Sequence, residues 1–291
     1  MKGKEQKKAL PEKVTRFKKN VFNYLLCQTL LLLFFTCVFP VLFYRSSLRA
    51  AYFYVKTNGN NTFSGSNWTA AWRTISFAAS NIPPGNSFYV SNGNYFNRVR
   101  FNNITNINMI SYPYMISRDN TAVQILGSGM GQNPVEIDNS RKITILGFTI
   151  SGQSTGGGGN GIIIQNDSTS NFIFRNVVCS NGDRGIYIWG TSCSNNLIMS
   201  NRVFQQQGAG LRTGIEVSGD HNIIKGNYVC RHSGSLHYGI HVQTSRGNIV
   251  TGNTACSNNL DILVHGFYNL VCSNNVSGNT NGIMLYSGKS N

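Results

Sequence analysis

A histidine and a glutamate hold the same place in two copies of one five-residue phrase. Gly239 to Gln243 reads GIHVQ and Gly214 to Ser218 reads GIEVS. The phrase recurs as GIIIQ at Gly161, GIYIW at Gly185, DILVH at Asp261 and GIMLY at Gly282, and VEIDN at Val135 fits the same frame. A carboxylate beside an imidazole is an acid–base pair, because the charge of the first sets the protonation of the second. Tyr187 and Tyr238 add phenols, and Arg184 and Arg212, just before their GI units, add cations for an anionic ligand. Trp189, Gln243 and His265 can stack on a sugar or hydrogen-bond to it. These types permit proton transfer by Glu216, His241, Tyr187 and Tyr238 on a substrate held by Arg184, Arg212, Trp189, Gln243 and His265.

Chemistry of this kind needs the phrases brought into register. A second phrase alternates with the first, starting at Asn171, Asn196, Asn222, Asn248 and Asn269, in steps of 25, 26, 26 and 21. A near-constant period of this size marks a solenoid. The units are short, β-branched and rich in Gly and Asn, and helical periodicity is lacking beyond about residue 85, so each unit reads as one turn of a β-helix. Asn176, Asn201, Asn227, Asn253 and Asn274 then form an amide ladder from turn to turn.

Strand alternation assigns the faces. The second and fourth residues of each phrase are aliphatic and point inward. The third and fifth point outward, which places Glu136, Asp138, Tyr187, Trp189, Glu216, His241, Gln243, His265 and Tyr286 on one outer face. His241 is expected to be solvent-accessible, one rung of about 4.8 Å from Glu216. The neighbouring carboxylate is expected to raise its pKa.

Composition narrows the class. Charged residues make up 12% of the 291, and the net charge is +15. Residues 1–20 supply +6 of that charge as a lysine-rich tail, and the rest is spread thinly. A basic run interleaved with aromatics is lacking, so no nucleic-acid partner is expected. The diffuse positive charge suits an acidic glycan or a cell surface. Residues 21–44, VFNYLLCQTLLLLFFTCVFPVLFY, carry no charge and are long enough to span a bilayer. The basic tail before them predicts a cytoplasmic N-terminus and an external solenoid, with a cleaved signal peptide as the competing reading.

Five cysteines fall in the repeats, Cys179, Cys193, Cys230, Cys256 and Cys272, with no CxxC among them. Neither a metal site nor a disulfide scaffold is indicated, and no cofactor is expected. Cys179, Cys230 and Cys256 share a column with Phe204, so stacked unpaired thiols are expected; Cys230 and Cys256 sit on adjacent rungs at a separation that would also allow a bridge.

Residues 45–86 form a linker and cap. In TAAWRTISFAASNIPPG, Trp72, Ile75, Ala78 and Ile82 recur at helical spacing, predicting a helix over about Thr69 to Asn81 that Pro83 ends. It would cover the open first rung. Residues 87–291 form the β-helix, and the chain stops within GIMLYSGKSN, a rung without a visible cap, as a fragment would.

The segment YVKTNGNNTFSGSNWTAAWRTISFAASNIPPGNSFYVSNGNYFNRV resembles the N-terminal signature of the pectate-lyase-like right-handed parallel β-helix superfamily, YVSxxGxDxxxG followed by TIxxAxxxAxxGDTIYVxxGxY. Asn86 stands where that signature has Asp. The resemblance covers about residues 52–291 and implies an all-β, right-handed parallel β-helix with a short N-terminal capping helix, here preceded by one transmembrane helix. The superfamily includes lyases, hydrolases, epimerases, adhesins and non-catalytic proteins, so activity has to be argued from the site. Tyr238 and Gly239 match the start of the YGFDPH motif of alginate C5-epimerases, but its Asp and Pro are missing.

A hydrolase is disfavoured. Glu216 lies three rungs, roughly 14 Å, from Glu136, beyond the separation of a glycosidase pair. The paired DD and the GHG of polygalacturonase-type hydrolases are lacking, as are the clustered carboxylates of a calcium site. The sequence therefore points to an exported, membrane-anchored β-helix that binds an acidic polysaccharide and modifies it by lyase or epimerase chemistry. The alternative is a non-catalytic glycan-binding, adhesive or structural solenoid.

Overall fold

The computed structural model describes residues 50–113, 122–127, 131–152, 159–206, 212–232 and 237–286. The basic tail, the apolar run 21–44 and the chain end after 286 lie outside them. Among the described residues no helix is long and apolar enough to cross a membrane.

The described strands form three parallel sheets of nine, eight and eight strands. Sheet one runs from Tyr52–Val55 to Leu270–Cys272, sheet two from Gly93–Tyr95 to Asn275–Ser277, and sheet three from Val99–Asn102 to Asn281–Tyr286. From Ser87 onward each turn adds one strand to each sheet, which makes the chain a parallel β-helix. The isoleucines of the GI phrases pair in register as Ile162, Ile186, Ile215, Ile240, Ile262 and Ile283. The first five are fully buried, whereas Ile283, on the last described rung, is 42% exposed. Aliphatic columns from all three sheets meet in one core, with Phe88, Phe101 and Phe148 fully buried in its early turns.

Polar corners close each turn. A residue of positive φ, such as Arg175, Ser200, Gly226, Gly252 or Ser273, leads from sheet one to sheet two. The residue after it is Asn176, Asn201, Asn227, Asn253 or Asn274, and their side-chain amides hydrogen-bond from rung to rung at 3.0–3.1 Å. Each Oδ1 also accepts the backbone N–H of the rung before, starting with Phe148 N at 3.0 Å. The expected ladder is therefore present, and two more stand beside it. Asn171, Asn196, Asn222, Asn248 and Asn269 form one at the entry to sheet one. The other, between sheets two and three, contains Asn181, Gln206, His232, Asn258 and Asn279.

This third corner explains the glycine of the GI phrase. A Cβ on Gly185 would lie 2.3 Å from Val203 Cγ1, and one on Gly214 2.3 Å from Val229 Cγ1 and 3.0 Å from the His232 ring. Asp261 stands in this column, and its carboxylate accepts hydrogen bonds from Asn258 and Asn279.

The N-terminal end is closed as expected, by a shorter helix. Helix α1 covers Ile75–Asn81, with Thr74 Oγ1 accepting from Phe77 N at 3.3 Å as its N-cap. Ile75, Ala78 and Ala79 turn onto the core, against Tyr52–Val55 and Val99–Asn102. The predicted start at Thr69 is six residues early. The Ala71 and Trp72 backbones are already engaged: Trp72 N donates to Tyr54 O and Trp72 O accepts from Lys56 N, both at 2.9 Å, and Ala71 O accepts from Asn60 N.

Removing one ladder amide leaves several buried groups unpaired. Asn201 Oδ1 accepts from Asn176 N and Nδ2, and its Nδ2 donates to Ile173 O and Asn227 Oδ1. Asn201→Ala is expected to cost about 3 kcal/mol in urea unfolding, at the upper end for buried partners left unsatisfied. Asn274→Ala, at the half-buried end of the ladder, is expected to cost about 1 kcal/mol. Equal costs would show that the ladder is not a buried network.

Candidate functional site

The outer face of sheet three carries the singled-out residues in the expected register. One column runs Glu136, Ile163, Tyr187, Glu216, His241, Leu263 and Met284. Outward-pointing is not the same as exposed, however. With rungs about 4.8 Å apart, long neighbours lie over short carboxylates, and Glu216 is 0% exposed.

The face divides into three clusters. In the first, on the early rungs, Glu136 and Asp138 are buried beneath Arg98 and Arg100, which ion-pair with them. Gln165 Nε2 donates to Glu136 Oε1 at 2.6 Å, and Asn166 Nδ2 to Asp138 Oδ1 at 2.8 Å. Burial by itself would raise the Asp138 pKa, but hydrogen bonds from Arg100 and Asn166 outweigh it and hold this carboxyl below its ordinary value.

The second cluster centres on Glu216. Arg184 Nε donates to Glu216 Oε2 at 2.7 Å, and Gln243 Nε2 donates to Oε1. Arg184 also reaches Asp183 at 3.3 Å and lies over the Tyr187 ring at 4.3 Å. Ser218 Oγ donates to Gln243 Oε1 at 2.8 Å. Burial raises the Tyr187 pKa. Glu216, Arg184, Tyr187 and Gln243 thus satisfy one another. Trp189, 53% exposed, flanks them, and Arg212 is half-buried before its strand.

The third cluster is open. Tyr238, His241, His265 and Tyr286 form a row of rings with centroids 4.9, 5.5 and 5.1 Å apart. With Asn259, Leu260, Leu263, Asn281 and Met284 they line a depression of about 370 Å³. A register shift between Val242 and Ser245 sits beside it, a placement typical of bulges that re-aim side chains. His265 Nε2 is buried there without a hydrogen-bond partner among the described residues.

Two expectations for His241 are corrected. The ring is half-buried rather than freely accessible. Its pKa is lowered, to about 4, by burial first and then by the charges of His265 and Arg184. Glu216 cannot raise it, because that carboxylate is already committed to Arg184 and Gln243. The arginines over Glu136 and Asp138 were not anticipated, although Arg98 and Arg100 stand at the right alternation to reach them. Asn259 and Asn281 carry no pattern that marks them as wall residues.

Among the described residues the five repeat cysteines are free thiols. Cys179, Phe204, Cys230 and Cys256 do share one column.

Fold and register together define a parallel β-helix. Residues 212–291 match the family model described as periplasmic copper-binding protein (NosD). A mutant tailspike protein of E. coli bacteriophage HK620, solved with a pentasaccharide, superposes with TM-score 0.52 at 12% identity, covering 74% of this chain and 43% of that one. The pre-mature gene product 12 of bacteriophage phi29 gives TM-score 0.51 at 14% identity over 72% of this chain and 30% of that one. The periplasmic alginate epimerase AlgG gives 0.44 at 12% identity over 80% and 58%. The chain spans less than two thirds of each of these structures. A comparison with curated proteins gives no match. Among the described residues no group of three or more His, Cys, Asp or Glu is placed to hold a metal ion.

The pKa direction can be checked. His232 is lowered to about 4 by burial, as His241 is. A histidine whose folded pKa lies below its unfolded value of about 6.5 contributes stability that is complete above that value and is lost as pH falls toward 4. The His241 Cε1 proton is expected to titrate by NMR near pH 4, and an apparent pKa above 6 would contradict the desolvated geometry.

Proposed function

We propose that this protein is exported, held to a membrane by residues 21–44, and binds an acidic polysaccharide along the outer face of sheet three, with lyase or epimerase chemistry at the depression. The observation that supports the reading best is the row Tyr238, His241, His265 and Tyr286 around about 370 Å³, with the His265 Nε2 buried beside it and without a partner among the described residues. Concave, ring-lined sites with a few convergent polar groups suit ligands. The HK620 tailspike, a protein of the same fold, was solved with a pentasaccharide.

A neutral His241 is a proton acceptor at neutral pH. It takes the proton from the uronate carbon next to the carboxylate. In elimination, the freed electron pair forms a C–C double bond and expels the glycosidic oxygen, which takes a proton from the Tyr238 phenol. In epimerisation, the Tyr238 phenol instead gives its proton to the opposite face of the same carbon and His241 keeps the one it took. Glu216 does not transfer protons in this scheme; it holds Arg184 and Gln243 in place. Arg184, shared between Glu216 and Asp183, is a weaker carboxylate clamp than its charge suggests, which leaves Arg212, Trp189 and His265 as the ligand contacts of the proposal. The alternative, a non-catalytic glycan-binding or structural solenoid, is favoured by the mutual satisfaction of the Glu216 cluster.

Incubation with uronate polymers decides between them. Unsaturated product absorbing in the ultraviolet reports elimination, and uptake of deuterium at C5 from D2O reports epimerisation. The rate is expected to rise with pH through about 4 and then to stay level to neutrality. His241→Ala is expected to lower turnover by about 100-fold or more with binding and folding retained. Binding without turnover in the unmodified chain would establish the adhesive alternative, and neither binding nor turnover would remove the glycan reading.

A further inference from the structure

The first rungs carry a surface that the sheet-three site does not use. On the outer side of sheet one, Tyr52 and Tyr54 alternate with the inward Phe53 and Val55. Tyr54 pairs in register with Tyr89, and Tyr112 lies on the rung after. Trp68 packs between Tyr54 and Tyr112, at 4.8 and 5.2 Å between ring centroids. Tyr89 contacts Tyr52 at 5.5 Å, Tyr54 at 6.0 Å and Tyr112 at 5.9 Å. Five rings thus form one patch, with Tyr52 and Tyr112 each about half exposed.

Ring geometry and charge narrow the occupant. The interplanar angles of 62°, 43° and 68° tilt Trp68 and Tyr112 against their neighbours while Tyr52 and Tyr89 stack at 25°, so the patch presents rings in several orientations rather than one continuous flat face. The patch consists only of Tyr and Trp, whose apolar bodies and polar tips suit the headgroup layer of a bilayer. Residues 50–113 contain Lys56, Arg73, Arg98 and Arg100 and no Asp or Glu, which removes repulsion from anionic lipid. The apolar run ends at Tyr44, eight residues before Tyr52, a reach of at most about 29 Å.

We propose that the Tyr52, Tyr54, Trp68, Tyr89 and Tyr112 patch is a membrane-contact surface that seats the first rungs of the solenoid in the lipid headgroup layer. The proposal rests on the reading of residues 21–44 as an anchor. Burial together with the neighbouring phenols raises the Tyr89 pKa, as expected of hydroxyls crowded on one surface. Seating by this patch would orient the solenoid and bias where sheet three meets its polymer.

The test uses the full chain reconstituted in phosphatidylcholine–phosphatidylglycerol vesicles carrying a headgroup nitroxide. Trp68's share of the emission is the difference between the chain and its Trp68→Phe variant. That share is expected to be quenched by about half or more when the labelled lipid is present. A Tyr52→Ser/Tyr112→Ser variant is expected to lose the quenching while still floating with the vesicles. Flotation with Trp68 unquenched would overturn the patch and leave the anchor standing, and failure to float would overturn both. Shielding of Trp68 from a soluble quencher by oligosaccharide, without lipid quenching, would assign the patch to a glycan and end the proposal.

Discussion

Everything in this fold depends on satisfying the backbone where the chain turns three times per rung. A corner residue of positive φ takes the strand out of its sheet, and the residue after it points its amide into the interior. Such a corner buries N–H and C=O groups that have no strand partner, and an unpaired buried group is costly. One asparagine supplies both an acceptor and a donor, so its side chain pairs the corner backbone and the next asparagine together. Stacked over five rungs, the Asn176 ladder pairs each amide with backbone and with the next asparagine, the condition under which buried polarity strengthens a fold.

The same rung spacing governs the outer face. In-register parallel strands force like positions within about 5 Å of each other, so a carboxylate cannot be placed there without its neighbours responding. Arg98 and Arg100 cover Glu136 and Asp138, and Arg184 with Gln243 covers Glu216. These pairs neutralise charge that burial would otherwise penalise. What remains open is the later part of the face, where rings line the depression and the register shifts after Val242.

The columns were legible because period and alternation are one-dimensional: GI at a near-constant spacing assigns Ile186, Ile215 and Ile240 to one inward stack, and the structure has them there. The Asn176 ladder was legible for the same reason. The third ladder was not, because Gln206 and His232 interrupt its asparagines and only geometry shows that three different side chains answer one corner. At the site, the sequence correctly placed Glu216 and His241 on adjacent rungs, and the inference to a raised imidazole pKa failed. Adjacency was read as pairing, whereas Arg184, 32 residues from Glu216 along the chain, reaches that carboxylate first. Side-chain length and competition between partners are three-dimensional facts that alternation does not carry.

The central proposal is that the ladders hold sheet three so that the depression on its later rungs, and not its charge-saturated clusters, receives the polymer. The most direct measurement is a crystal structure with a short oligouronate bound. The account predicts the saccharide between Tyr238 and Tyr286, with a uronate carbon facing His241. A saccharide seated instead over Arg98 and Arg100, or on sheet one or sheet two, would contradict it.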